Sequence, residues 1–202
     1  MFSTEFLIAA LIVVLIPGTG VLYTLATGMT RGFTASVIAA FGCTLGILPA
    51  ITAAFLGLSA LLHAGAIAYL MLKYAGAAYL IYLAIQIWRD RGPISFSQDV
   101  PTQPWRIIRT GFLINVLNPK LSVFFMAFLP QFIDPAGAAQ IQMLGMSAIF
   151  MIMTFAVFLL YGALASLVRT QLRKPRVADL IRYSAATTFA ALGARLALSE
   201  TR

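Results

Sequence analysis

The feature that most constrains this chain is its division into long apolar segments that carry almost no charge. Six can be read: Thr4–Thr27, Ser36–Leu62, Ala66–Trp88, Thr110–Ile133, Ile141–Val168 and Tyr183–Ser199. A helical bilayer crossing takes about 20 mostly apolar residues, so six use about 120 and leave short loops. Of the 202 residues, 61% are hydrophobic and 10% charged, against roughly half and a quarter in soluble domains. A soluble fold of this length could not cover its surface with so few charges. An ordinary soluble enzyme and a disordered chain are thereby excluded. The expected class is all-α, a polytopic membrane protein with six transmembrane helices. The last segment is the weakest, being short and containing Arg195.

No stretch reads as a separate soluble domain, so 1–202 is expected to be one transmembrane unit. Glu5 stands where a secretory signal would carry Lys or Arg, so the first segment is expected to be retained. Ten of the fourteen Lys and Arg fall on odd-numbered loops: Arg31, then Arg89, Arg91, Arg106 and Arg109, then Arg169, Arg173, Lys174, Arg176 and Arg182. The even loops hold His63 and Asp134. The positive-inside rule puts the odd loops in the cytoplasm and both termini outside. These loops are short and lack interleaved aromatics, so contact with anionic lipid headgroups is expected and nucleic acid is not.

Two prolines lie deep inside segments. Pro17-Gly18 interrupts the first, and Asn118-Pro119-Lys120 interrupts the fourth. Each proline removes an amide donor and frees the carbonyl four residues back, here Val13 and Asn115. Hydrocarbon does not tolerate a free carbonyl unless protein or a wet cavity satisfies it. The first and fourth segments open two groups of three, and three is odd, so the groups run oppositely through the membrane. This predicts an inverted 3+3 repeat: residues 1–92, a cytoplasmic linker 93–109, and residues 110–202. Interrupted helices at matching places in two inverted halves point to a substrate site near the midplane. Two simple structural kinks are the alternative.

Lys120 sits about 15 Å of helix rise from Thr110. An ammonium at such depth costs at least about 2.5–3.5 kcal/mol. Two roles are open: satisfying the freed carbonyls, or serving as counter-charge for a substrate carboxylate beside a half-helix N-terminus. Glu5, Asp90, Asp99, Asp134, Asp179 and Glu200 all lie at segment ends or in loops. A second positive charge on a substrate would therefore lack a buried carboxylate, which favours neutral over basic amino acids. No mid-membrane carboxylate is available to carry a coupling proton either, leaving Lys120 as a candidate. Freed carbonyls, Asn115 and Asn118 are expected to meet a substrate ammonium.

Gly42-x-x-x-Gly46 allows close helix approach, inside the bundle or across a homodimer face. Tyr23, Phe124 and Phe125 lie near the breaks, as pocket or core. Cys43 reads as a packing residue, and Lys73 as an anchor at a segment end. One Cys and one His offer no metal cluster, and no metal or cofactor is expected.

These residues resemble the LysE/RhtB family of amino-acid exporters over nearly the whole chain. Ile16-Pro17-Gly18-Thr19 is similar to the family's PGP motif, and Gly76-Ala77-Ala78-Tyr79-Leu80 to its GAAYL. Gly111 through Lys120, reading GFLINVLNPK, resembles its GF-x-x-N-x-x-NPK signature. Phe125, Leu129-Pro130-Gln131-Phe132 and Leu192-Gly193-Ala194-Arg195-Leu196-Ala197 extend the match. The resemblance implies export of amino acids or derivatives across the bacterial inner membrane, driven by proton motive force. It favours the RhtB-like branch, associated with homoserine, threonine and other neutral amino acids; the basic-amino-acid branch tends to carry an aspartate soon after the NP motif. Thr19 replaces the second proline of PGP, which predicts a softer, hydroxyl-lined first break. The lone Cys43 argues against the disulfide-transferring relatives.

The expected function is therefore a secondary transporter of small neutral amino acids, a proton antiporter, with Pro17, Gly18, Asn115, Asn118, Pro119 and Lys120 forming the site. A uniporter or channel for a small zwitterion and an exporter of basic amino acids are the near alternatives. A membrane-embedded enzyme would need a convergent catalytic cluster, and the sequence offers none.

Overall fold

The computed structural model describes residues 3–89, 102–134, 136–167 and 175–198. The described residues are all helical or loop. Helix α1 spans Thr4–Leu15, with the Ser3 hydroxyl capping the Phe6 amide at 3.2 Å. Pro17 then stops the ladder, and α2 runs Thr19–Arg31 at a bend of 52°. Gly32, at φ +85°, makes the sharp turn into α3, Phe33–Leu45; other residues rarely adopt that backbone.

Helix α4 covers Leu48–Arg89, 42 residues without a break. This differs from the expected turn around His63. The stretch Leu61–Ala66 contains no proline, and Leu and Ala are strong helix formers that one glycine does not outweigh. The second broken helix is α5, Pro104–Val116, followed after Leu117 and Asn118 by α6, Pro119–Val123. The chain continues through a π turn, Phe124–Phe128, and a 3-10 turn, Leu129–Phe132. The bend between α5 and this second half is 50°. Helix α7 spans Ala139–Leu167, and α8 spans Pro175–Leu198, starting eight residues before the expected sixth segment at Tyr183 and packing along α4.

By length and composition, Phe33–Gly57 and Ala139–Leu167 can each cross a membrane, and so can each bent pair taken as one span, up to four in all among the described residues. Most of the linker 93–109, up to residue 101, lies outside the described residues. So do Arg91, Arg169, Arg173, Lys174 and the last residues of the chain, and the side chains of His63, Lys73, Arg176, Arg182 and Arg195.

Small residues set how the helices lie together. A Cβ on Gly42 would fall 2.5 Å from the Ile108 carbonyl oxygen, and one on Gly46 the same distance from that of Phe112. The Gly-x-x-x-Gly face of α3 is thus used inside the bundle, against α5. A Cβ on Gly28 would likewise meet the Gly162 carbonyl at 2.9 Å and Ala165 at 3.3 Å. Contacts rise in step along each pair, so α3 runs parallel to α5, and α2 parallel to α7. One end of the bundle therefore gathers Arg31, the start of α5 with Arg106 and Arg109, and the end of α7 that leads toward the last basic loop.

The buried apolar residues form two clusters. One joins α1, the start of α4, the π turn and the first half of α7, with Phe124 stacked on Phe150 at 4.5 Å. The other joins α2, α3, α5 and the second half of α7, around Tyr23, Val21 and Phe158. Between the two lie the helix breaks.

Candidate functional site

The break in the first span leaves several carbonyls without helical partners, and the structure supplies them from other helices. Lys120 Nζ donates to the Val13 carbonyl at 3.2 Å and to the Ile16 carbonyl at 3.2 Å. Tyr161 on α7 donates its hydroxyl to the Leu15 carbonyl at 2.8 Å. Lys120 is 8% exposed, and its partners among the described residues are these two carbonyls; no carboxylate pairs with it. The carbonyl-satisfying role foreseen for Lys120 is the one seen in this conformation.

The second break caps itself. Asn118 Oδ1 accepts from the Lys120 amide at 3.1 Å, and the Asn115 carbonyl, which Pro119 cannot serve, accepts from the Asn118 amide at 3.1 Å. Asn115 bridges to α3: its Nδ2 donates to the Cys43 carbonyl at 2.8 Å. That carbonyl is free because the Ile47 amide bonds to Thr44 instead. Asn118 Nδ2 in turn approaches Asn115 Oδ1 at 3.4 Å.

The first break differs in one respect. Gly18 is the N-cap of α2 and has no side chain to bond the first amides of the helix, which have no partner within it. A Cβ at Gly18 would lie 3.1 Å from Lys120 Nζ. The missing side chain thus lets the ammonium reach the positive end of α2 while two carbonyls hold it there.

A small cavity opens at this junction. Gly18, Asn115, Asn118 and Lys120 line it, together with Gly20, Phe150, Thr154 and Phe158. Water centres can occupy about 10 Å³ of it, room for about one water and too little for an amino acid. Four of the six expected residues face this cavity. Pro17 and Pro119 do not line it; they make the bends that create it.

Thr19 corrects one expectation. The first span bends by 52° and the second by 50°; the expectation that fails is the hydroxyl lining. Thr19 begins α2 with an exposed side chain and does not line the cavity, because the helix restarts one residue after Gly18 and turns it outward. Tyr23 is core: its hydroxyl donates to the Ile107 carbonyl at 3.1 Å. Phe124 and Phe125 pack on Phe150 behind the cavity wall. Phe150, Thr154, Phe158 and Tyr161 escaped the sequence reading. Their spacing of three to four residues puts them on one face of α7, but nothing in a uniformly apolar helix marks that face as inward.

The family model described as LysE type translocator matches residues 11–200. A Vibrio cholerae protein named only as an uncharacterized membrane protein is 31% identical over 196 residues, covering 96% of each chain. The homoserine/homoserine lactone efflux protein of Salmonella typhimurium is 31% identical over 193 residues, covering 95% of this chain and 94% of its own; that of Salmonella typhi matches to the same extent. No solved structure matches the chain.

Proposed function

The chain belongs to the LysE type translocator family, membrane transporters rather than enzymes, and on that premise we propose that it exports small neutral amino acids of the homoserine and threonine kind. The observation that carries this reading is the pairing of Lys120 Nζ with the Val13 and Ile16 carbonyls. A zwitterion can exchange both partners at once. Its carboxylate takes the Lys120 ammonium and the first amides of α2, and its own ammonium takes the two carbonyls that Lys120 gives up. No buried charge or carbonyl is left unpaired by the swap, which an anion or a cation alone could not achieve. A second cationic group on the substrate would find no carboxylate there, which separates neutral from basic amino acids. The names of the two Salmonella relatives agree with this class.

Transport is proposed to run by alternating access. The cavity is too small for substrate and is lined from both apolar clusters, by Val14, Leu121 and Phe150 of one and Val21 and Phe158 of the other. Rocking of the halves would open one cluster at a time. The nearly equal bends, and the pairing of α3 with α5 beside that of α7 with α2, support two inverted halves, 1–92 and 110–202, joined by the linker 93–109. Helix α4 is unbroken over about 63 Å, about twice the hydrocarbon core, so the proposed six-crossing arrangement requires it to turn back near its middle when inserted in the membrane. The gathering of Arg31, Arg106 and Arg109 at one end supports a cytoplasmic face on anionic lipid, with both termini outside, in the inner membrane. Coupling is proposed to be proton antiport. The Gly42/Gly46 face is occupied within the chain, so a homodimer would use another surface.

The test is counterflow in proteoliposomes, with labelled neutral and basic amino acids, for the wild type and Lys120→Met. Exchange of neutral amino acids that disappears in the variant is expected, and an imposed pH gradient should drive uptake. Exchange confined to basic amino acids, or wild-type exchange by the variant, would overturn the reading; flux indifferent to the gradient would favour a uniporter.

A further inference from the structure

The cavity wall contributed by α7 carries a group that the site as described does not use. Thr154 is 3% exposed, lines the cavity, and its Oγ1 finds no hydrogen-bond partner among the described residues. The hydroxyls of Ser36 and Ser147 share this state among the described residues, but neither serine lines the cavity, and the other buried helical threonines behave differently. Thr24, Thr27, Thr30, Thr44 and Thr52 each turn the hydroxyl back onto the carbonyl four residues earlier, at 2.7–3.0 Å. That back-bond is the ordinary refuge of a helical threonine without another partner. For Thr154 the corresponding carbonyl is that of Phe150, and the bond is not made. Phe150 and Phe158, one turn to either side, also line the cavity. They leave Thr154 as the polar residue of an otherwise aromatic α7 wall, with its hydroxyl buried at the cavity's edge. It sits near the middle of the 29-residue α7, at the depth of the helix breaks. A buried hydroxyl kept from its local acceptor is costly unless a ligand completes it.

We infer that Thr154 is a specificity-determining residue that hydrogen-bonds a side-chain hydroxyl of the substrate, making the preferred class hydroxylated neutral amino acids. This rests on the reading of the cavity as the substrate site and narrows it. Lys120 and the two carbonyls would read the charged groups that every amino acid shares. Thr154 would read what distinguishes one from another, with the phenyl rings excluding water and packing on the methylenes. A site built to bond a hydroxyl discriminates against analogues that lack it, because its own polar group is then left unpaired.

The test uses substrate pairs equal in shape that differ by hydroxyl against methyl: homoserine with norvaline, and threonine with valine. In proteoliposome counterflow the wild type should favour the hydroxylated member of each pair by about tenfold or more. Thr154→Val, equal in shape, should bring the ratio close to one while norvaline exchange persists, which shows the variant assembled and active. Thr154→Ser should keep the preference. Should the valine variant not assemble, Thr154→Ala against Thr154→Ser makes the same comparison. An unchanged ratio in the valine or alanine variant, or no hydroxyl preference in the wild type, would overturn the inference and leave the exporter reading standing. Absence of any neutral amino-acid exchange by the wild type would instead overturn that reading, and this inference with it.

Discussion

The ammonium of Lys120 stands 3.2 Å from the carbonyl oxygen of Val13, 107 residues away in the chain, and Val13 is the residue whose carbonyl Pro17 deprives of its helical donor. One broken helix thus supplies the acceptor and the other supplies the donor. The bond ties the two bent spans together at the point where the proposed transport cycle would release them.

Replacing Lys120 by Met should separate function from folding. Removing the ammonium leaves two buried carbonyls unpaired, at about 1–3 kcal/mol each. It also removes a buried charge that costs at least about 2.5–3.5 kcal/mol, so the stability effects largely offset. Counterflow should fall by about 100-fold or more, while the melting temperature in detergent stays within a few degrees. A variant that keeps half of the wild-type flux would rule out the role given to Lys120.

The glycines divide into two kinds, and alanine substitution should distinguish them. At Gly18 the added Cβ meets the far end of the Lys120 side chain at 3.1 Å, and φ is −110°, which alanine accepts. Lys120 can yield by a few tenths of an ångström, so Gly18→Ala should fold and raise the half-saturating substrate concentration several-fold. At Gly42 the added Cβ meets backbone, the Ile108 carbonyl oxygen at 2.5 Å and its Cα at 2.7 Å. Helices α3 and α5 must then move apart, and a destabilisation of about 1–3 kcal/mol is expected. Melting curves and transport assays on both variants check the contrast.

Asn115 should behave as a structural member of the site. Its Nδ2 satisfies the Cys43 carbonyl at 2.8 Å, and the side chain is 2% exposed. Asn115→Leu strands that carbonyl, and a loss of about 1–3 kcal/mol is expected. Asn115→Asp has similar shape but brings an acceptor against an acceptor, and should be at least as damaging. Thermal unfolding of the three proteins measures this; an aspartate variant as stable as the wild type would show that the Cys43 carbonyl has another donor.

What could be read from the sequence, and what could not, follows from how local the cause is. Pro17 and Pro119 act through a fixed i−4 rule, so both breaks and the freed Val13 carbonyl were legible before any coordinates. Lys120 was legible as a charge without a counter-charge at its depth. Which group would answer the Leu15 carbonyl was not, because Tyr161 reaches it from 146 residues away. Nor was the cavity wall of Phe150, Thr154 and Phe158. In a membrane helix the lipid-facing and core-facing sides are both apolar, so the periodicity that marks an inward face in a soluble protein is absent. The unbroken α4 is a further instance: spacing suggested a turn near His63, but the local sequence contains nothing to stop a helix.

The orientation of the bundle can be tested with single cysteines on the native background, since Cys43 is fully buried and lies beside the Gly20 carbonyl, away from reagent. Arg31 ends α2 at the basic end. Asp134 precedes α7, whose 29 residues carry the chain about 43 Å to that end, so Asp134 lies at the opposite one. With a cytoplasmic basic end, an impermeant thiol reagent added to intact cells should label Asp134→Cys and not Arg31→Cys. Permeabilised cells should label both. Labelling of Arg31→Cys alone in intact cells would invert the topology, and with it the direction in which the site faces the cytoplasmic pool.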